Sequence, residues 1–578
     1  MRTLFALLLC TFAVTPGSAQ QPVSPGSDDD SLFDIEGDLL IRTKDGGTLS
    51  AEVIRKKGVT ELLPTILTLD IYTDPSAHRE QGKVIAARGY VSVIADTRGK
   101  RLSPDPIEPY EHEAFDADEV IDWIAHQPWS NGRVGMRGGS YSGFTAWAAT
   151  KHMNPALKTI AVSAAAIPGL GLPMYNNVFL NANYGWAFYV TDNKYLDDKA
   201  YNNPDRWWRI QRNWFASGRP YRDIDRVDGT PNPYLQRWLE HPSYDLYWQR
   251  MVPYQQDFAN INIPILTITG YYDDAQISAL HYLTEHYRYN PHAEQYLVIG
   301  PYDHFGTHAP QKAAILRGYQ IDPVAQFSTP ELIMRWMDYV LRNGQKPTLL
   351  QDRVNYEVMG ANVWRHAPSL REASRPRKLY FSEGKLGDLY RIAPRKSPKR
   401  EAIEQSYDLR NRNIFNGFHT YPNPIIQDKL EYLTELMFVT DQFVRPTIVS
   451  GAFSGELDVA ISKKDFDFTV TVYEQRPDGT LFHLGYALER ASFAKDQTQR
   501  TLLVPGQATR IPYETTFVAR QMEKNSRLLI LIDINKNPSA QINYGTGKDV
   551  SDESIDDTKE PLRVRWYNDS YVNVPTAR

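Results

Sequence analysis

Val134-Gly135-Met136-Arg137-Gly138-Gly139-Ser140-Tyr141-Ser142-Gly143 decides how this chain is read. The stretch leaves a short apolar run, 134–137, and enters a helix-like one, 144–152. A serine on the turn between strand and helix is the layout of a nucleophile elbow. The turn is tight, so the residues two before and three after the serine must be small, and Gly138 and Gly143 stand there. Ser142 breaks the strict Gly-x-Ser-x-Gly pattern. A glycine-flanked serine also occurs in plain turns, so the reading depends on partners further along the chain.

In hydrolases built on such an elbow, an acid and then a histidine follow the serine, each past the end of a later strand. The run 265–269 leads into Gly270-Tyr271-Tyr272-Asp273-Asp274. The run 295–299 leads into Gly300-Pro301-Tyr302-Asp303-His304. The order assigns His304 to take the Ser140 proton and Asp273 to orient its ring. Asp274 is the rival acid and His308 the rival histidine. Acyl transfer also needs donors aimed at an oxyanion. The Tyr141 backbone N–H is one. The loop after 65–69, Asp70-Ile71-Tyr72-Thr73-Asp74-Pro75, offers the Tyr72 hydroxyl, although Tyr72 reads equally well as a packed strand-end aromatic.

Outward from the elbow, apolar runs at 65–72, 90–95, 134–137, 159–164, 265–269 and 295–299 alternate with helical patterns at 115–126, 144–152 and 333–341. Most runs lack strict alternation, as strands buried on both faces do. The pattern predicts a mostly parallel sheet flanked by helices, preceded by a hairpin over 34–57 that turns at Asp45-Gly46-Gly47. Between 171 and 260, 20 of 90 residues are aromatic and six of the twelve Trp occur. This segment reads as a helical cap over the strand ends, where ligands bind. From about 354, β-rich runs at 378–381, 436–440, 456–462, 467–474, 500–503 and 528–533 predict a β-sandwich, with a turn at Pro477-Asp478-Gly479. The expected division is 34–167 and 259–350 for the sheet domain, 168–258 for the cap and 351–578 for the sandwich.

With 42% apolar and 23% charged residues, the composition is that of a globular chain. The net charge of −5 comes without basic runs, which argues against nucleic acid as a partner. Residues 1–19 have the form of a secretory signal: Arg2, an apolar stretch over 4–14, then Pro16-Gly17-Ser18-Ala19. Residues 20–33 read as a flexible leader. The expectation is a secreted or periplasmic protein, not held in a membrane after cleavage. Cys10 is the one cysteine and lies in that signal, so no disulfide framework or cysteine metal site is expected. The chemistry calls for no cofactor and no metal. Nothing in the sequence fixes an oligomeric state.

Gly138-Gly139-Ser140-Tyr141-Ser142-Gly143 resembles the Gly-x-Ser-Tyr-x-Gly elbow of the cocaine esterase-like acyl hydrolases, a superfamily that includes X-Pro dipeptidyl-peptidases and α-amino acid ester hydrolases. Asp96-Thr97-Arg98-Gly99 resembles its Asp-x-Arg-Gly turn, residues 123–135 its approach to the elbow, and Gly300-Pro301-Tyr302-Asp303-His304 its Gly-Pro-x-x-His. Met359-Gly360-Ala361-Asn362-Val363-Trp364-Arg365 resembles the start of its jelly-roll domain. The resemblance implies an α/β hydrolase fold with a helical cap and a C-terminal jelly roll. It implies a Ser140, His304, Asp273 triad, with Tyr72 and Tyr141 lining the oxyanion hole, acting on a small ester or acyl substrate. Amide, X-Pro peptide and α-amino acid ester cleavage are alternatives on the same scaffold, and glycan binding through the jelly roll is one from another class. The α-amino acid ester hydrolases bind an ammonium with extra carboxylates. The matching positions here are Ala275 and Gln276, with Asn176 and Asn177 near the third. In the cap, Asp192, Asp197, Asp198, Asp223 and Asp225 are the acids that could serve instead. Where the family carries a bulky residue two after the serine, this chain has Ser142.

Overall fold

A computed structural model describes residues 30–415, 424–430 and 436–577. The expected signal, 1–19, and most of the leader lie outside the described residues. The last leader residues are not loose: Asp30–Leu32 form a 3-10 turn with Asp30 paired to Lys83, and Phe33 packs on Ile54 and Ala86.

The hairpin β1 (Phe33–Arg42) and β2 (Thr48–Lys56) opens the chain. Then β3 (Leu63–Asp70), α1 (Pro75–Ala87), β4 (Val91–Asp96), α2 (Glu113–Ala125), β5 (Ser130–Gly139), α3 (Tyr141–Ala149) and β6 (Leu157–Ser163) alternate. The segment that follows holds a two-residue hairpin, β7 (Met174–Tyr175) and β8 (Val178–Phe179). Helices α4 (Ala182–Thr191), α5 (Asp198–Tyr201), α6 (Pro204–Ser217), α7 (Ile224–Asp228), α8 (Pro233–Leu239) and α9 (Leu246–Gln249) come next. The sheet resumes with β9 (Ile265–Tyr272), α10 (Gln276–Tyr289) and β10 (Gln295–Asp303). A short hairpin, β11 (Ile315–Leu316) and β12 (Tyr319–Gln320), precedes α11 (Thr329–Arg342), β13 (Val354–Val358) and β14 (Val363–Ala367).

The ten strands order as β1-β2-β4-β3-β5-β6-β9-β10-β13-β14. Every pair from β4 to β13 is parallel, while β1, β2 and β14 run antiparallel to their neighbours. Parallel pairing demands covered faces, and the central strands are buried on both: β4 and β9 are buried along their full length. The parallel register brings the C-terminal ends of β3, β5, β9 and β10 to one edge, from which the site is built.

Two expectations need correction. Residues 354–367 do not open the second unit, because β13 pairs with β10 and β14 with β13, so the first sheet extends past 350. Residues 500–503 form no strand. Their amides meet scattered acceptors, Ser492 O from Thr501 and Lys464 O from Leu503, and Pro505-Gly506 ends the run. The other β-rich runs fall on strands of a 14-stranded, mostly antiparallel network, 436–440 and 456–462 each overrunning its strand by one residue. Pro477-Asp478-Gly479 joins Asp467–Gln475 to Leu481–Arg490 as a hairpin. This sheet-rich domain grips the first sheet beside the site: the Gln276 amide pairs with both the N–H and the C=O of Phe517, and Tyr272 donates to His483 O.

Candidate active site

Ser140 sits between the last residue of β5 and the first of α3 with φ 58° and ψ −119°. A serine in this region carries strain that the surroundings must impose. Its N–H donates to Ser163 O at 2.9 Å, and its C=O accepts from Phe144 at 3.0 Å. A Cβ at Gly138 would lie 2.3 Å from the Ser142 backbone, and one at Gly143 would lie 2.9 Å from the Ala165 Cβ. Both glycines are therefore steric requirements of the elbow. Ser142 fills the position of the family's bulky residue with a specific contact: its hydroxyl donates to Asp70 at 2.8 Å. Asp70, the last residue of β3, also accepts the Tyr72 N–H at 3.0 Å and faces His78.

His304 and Asp273 leave the ends of β10 and β9. The His304 Nε2 is 2.9 Å from Ser140 Oγ, and its Nδ1 is 3.0 Å from Asp273 Oδ1. Asp273 is fully buried and also accepts from Thr269 Oγ1 at 2.7 Å and the Ala275 N–H at 3.0 Å. Asp274 approaches the same Nδ1 at 2.8 Å but is 49% exposed. For the imidazole, burial favours the neutral form; the charge of Asp274 and the Asp273 hydrogen bond outweigh it and hold the pKa well above its ordinary value. Burial pushes Asp273 up against its His304 hydrogen bond. For Asp274 burial also works upward, but the His304 charge prevails and holds it below the ordinary carboxylate range. Among the described residues, Asp273, Asp274 and His304 are the one acid and imidazole group spaced to share an ion; the same atoms make the line to Ser140. His308 does not join that line. It packs beside Gly139 with its ring 5.9 Å from His304, and burial followed by the His304 charge drives it to about 3.

The Tyr72 hydroxyl lies 3.5 Å from Ser140 Oγ, and burial above all keeps it protonated. The Tyr141 N–H is the first amide of α3, where an amide finds no acceptor within the helix. The Tyr141 side chain turns inward, donating to the buried Glu113 and accepting the Tyr110 N–H at 2.9 Å. Burial raises Glu113 to about 7. The structure thus gathers Ser140, His304, Asp273, Tyr72 and Tyr141 at one sheet edge, and adds Asp70, Glu113 and Trp186, whose indole N–H donates to the Tyr72 hydroxyl; the sequence pattern assigns none of the three a part in the site.

Comparison with known proteins places the chain among hydrolases. The profile of the X-Pro dipeptidyl-peptidase (S15 family) matches residues 45–306, and that of the X-Pro dipeptidyl-peptidase C-terminal non-catalytic domain matches 350–569. The chain belongs to the cocaine esterase-like and X-Pro dipeptidyl-peptidase superfamily. It is a hydrolase. The cocaine esterase of Rhodococcus sp. (strain MB1 Bresler) is 22% identical over 559 residues, covering 91% of this chain and 95% of that one. Among solved structures, an aminopeptidase from a marine sediment Thaumarchaeota archaeon is 18% identical, with a TM-score of 0.77 over 96% of this chain and 98% of that one. An α-amino acid ester hydrolase is 19% identical, with a TM-score of 0.76 over 98% of this chain and all of that one (100%). Both share the fold.

Within this superfamily member, the helical segment that carries α4 is tied to the first sheet close to the site. Lys100, just past the Asp96-Thr97-Arg98-Gly99 turn, donates to Val190 O, Asn193 O and Tyr195 O at the end of α4. Arg98 forks onto Asp116 and Asp45 and braces the same turn. The positions that would carry ammonium-binding carboxylates are otherwise employed. Ala275 is buried, and Gln276 is spent on Gly270 and Phe517. Asn176 donates to Glu489, and Asn177 to Pro242 O and Gln497 O. Of the acids in the α4–α9 segment, Asp197 caps α5, Asp223 pairs with Arg219 and Arg226, and Asp225 accepts from Gln236.

Proposed function

We propose that this enzyme is a serine esterase that cleaves carboxylic esters through an acyl-enzyme. Its sheet domain is read as an α/β hydrolase fold, 34–167 with 259 to about 367, capped by 168–258 and followed by a jelly roll. The observation that carries the reading is the line Asp273–His304–Ser140, with both bonds at about 3 Å or less at the mouth of a strained elbow.

In this reading His304 Nε2 removes the Ser140 proton as Oγ attacks the ester carbonyl. The oxyanion is met by the Tyr72 hydroxyl and the Tyr141 N–H. His304 then returns the proton to the leaving alcohol, and water repeats the sequence to free the acid. Asp273 fixes the tautomer that presents a bare Nε2 to the serine. Preference for esters without a free α-amine is supported by the neutral residues at 275, 276, 176 and 177, and by Asp274 being engaged with His304. Residues 1–19 extend the proposal to an exported enzyme.

The test is a rate comparison on nitrophenyl acyl esters of increasing chain length against X-Pro and α-aminoacyl nitroanilides, with Ser140→Ala as control. Ester turnover alone, abolished in Ser140→Ala, is the expected result. Aminoacyl anilides turned over as fast as esters would overturn the substrate class, and substantial activity in Ser140→Ala would overturn the mechanism.

A further inference from the structure

Tyr72 faces two groups with its hydroxyl. Ser140 Oγ is 3.5 Å away, and the Trp186 Nε1 is 3.2 Å away on the cap helix α4. The two contacts are not equivalent. An indole N–H is only a donor, so the contact with Trp186 must use a lone pair of the Tyr72 oxygen. The single hydroxyl proton is then left for the Ser140 side. A donor bonded into the same oxygen also polarises that O–H.

The indole is held in place rather than merely near. Its ring stacks on Tyr110 at 5.4 Å and 21°, and on Tyr141 at 5.8 Å and 29°. Tyr141 is in turn pinned by Glu113 and the Tyr110 N–H. The far end of α4 is fastened by Lys100. Tyr189, one turn further along α4, leans on the Tyr72 ring at 6.1 Å. The cap therefore contributes a fixed donor to a tyrosine that belongs to the sheet domain.

We propose that Trp186 is a positioning residue of the oxyanion site: its indole N–H fixes the Tyr72 hydroxyl as a donor toward the acyl centre, so that the hole is complete only with the cap in place. The inference rests on the reading of Tyr72 as an oxyanion donor. The step it assists is the one already given. Oγ bonds to the carbonyl carbon, the carbonyl π pair moves onto oxygen, and the Tyr72 proton is shared with that oxygen without being transferred.

Turnover of nitrophenyl acyl esters by the wild type, Tyr72→Phe, Trp186→Phe and the double variant tests it, with the melting temperature recorded for each. A fifth protein carries 3-benzothienylalanine at position 186, which keeps the ring's shape and replaces N–H by sulfur, so that loss of packing cannot imitate loss of the donor. The expected result is a fall in kcat of about tenfold in both position-186 proteins, the value of one ordinary hydrogen bond, with KM changed by less than about threefold. In the Tyr72→Phe background the same change should alter kcat by less than about twofold, since no hydroxyl remains to orient. Full kcat in the benzothienyl protein, or an equal loss with and without the Tyr72 hydroxyl, would overturn the inference while leaving the esterase reading intact. Wild-type kcat in Tyr72→Phe would sink the oxyanion assignment of Tyr72 and this inference with it.

Discussion

Asp273 and Asp274 are neighbours in sequence and both reach the Nδ1 of His304, yet their removal should have different consequences. Asp274 Oδ1 stands 2.8 Å from that nitrogen and is 49% exposed. At the dielectric of water, two charges at this distance attract by about 1.5 kcal/mol, or about one pH unit. Asp273 stands 3.0 Å away with no exposure. At an effective dielectric of about 20 the same arithmetic gives about 5.5 kcal/mol. The sign for Asp274 follows from His304 acting as base only when neutral. The Asp274 charge raises the imidazole pKa, which places the acid limb of kcat/KM high. Asp274→Asn should shift that limb to lower pH by about one unit and leave the plateau kcat within about tenfold of wild type. Asp273→Asn should cut plateau kcat by about 1,000-fold or more, because the amide no longer holds the ring in the required tautomer. The assay is kcat/KM on a nitrophenyl ester from pH 5 to 10 for the three proteins. An unmoved acid limb in Asp274→Asn, or a plateau loss matching that of Asp273→Asn, would refute the division of labour.

Gly138→Ala places a Cβ 2.3 Å from the Ser142 backbone; the displaced elbow should cost at least about 100-fold in kcat, and near-normal turnover would show that the turn has room to spare. Ser142→Ala removes a hydroxyl donating to a charged Asp70, so urea denaturation should report a loss of about 1.5 kcal/mol or more, and unchanged stability would contradict the role given to that bond. Glu357 is fully buried, and burial followed by the neighbouring Asp322 carboxyl raises its pKa to about 9. Between about 4.5 and about 9 the folded chain keeps a proton that the unfolded chain releases, so this residue makes stability fall as pH rises through that window. The melting temperature of Glu357→Gln should therefore gain on wild type steadily from pH 5 to 9, and a difference independent of pH would refute the buried-acid account.

The strands that carry the site were legible because burial on both faces leaves continuous apolar runs, and because Asp273 and His304 stand directly past two of them. The elbow was legible from its glycines, whose steric role is local. Helices α1 and α10 were not, since their buried faces include His78, Gly82 and Lys83 in one, and Gln276, Ser278 and His286 in the other. These residues are satisfied by tertiary partners and leave a weak apolar stripe. The only local sign of α1 is Asp74-Pro75, where the Asp74 side chain caps Ser76 and Ala77. The sheet's extension through 354–367 has no signal of its own, because nothing in a β-rich run says which sheet it will join. Trp186 is one of six tryptophans between 171 and 260 and carries no mark of its own for the same reason: its bond to Tyr72 spans 114 positions. Asp70 belongs to the Tyr72 loop, but nothing in the sequence shows that Ser142, a departure from the elbow pattern, is its hydrogen-bond partner 72 positions away.

The central claim is that Ser140 Oγ becomes acylated. Its most direct test is the mass of the intact protein and of its peptides after brief mixing with a slowly deacylating nitrophenyl ester, quenched in acid. The account predicts one added acyl group per chain, on the peptide containing Ser140, released on the timescale of turnover and absent from Ser140→Ala. Turnover with no acylated peptide, or acylation that persists in Ser140→Ala, would contradict it.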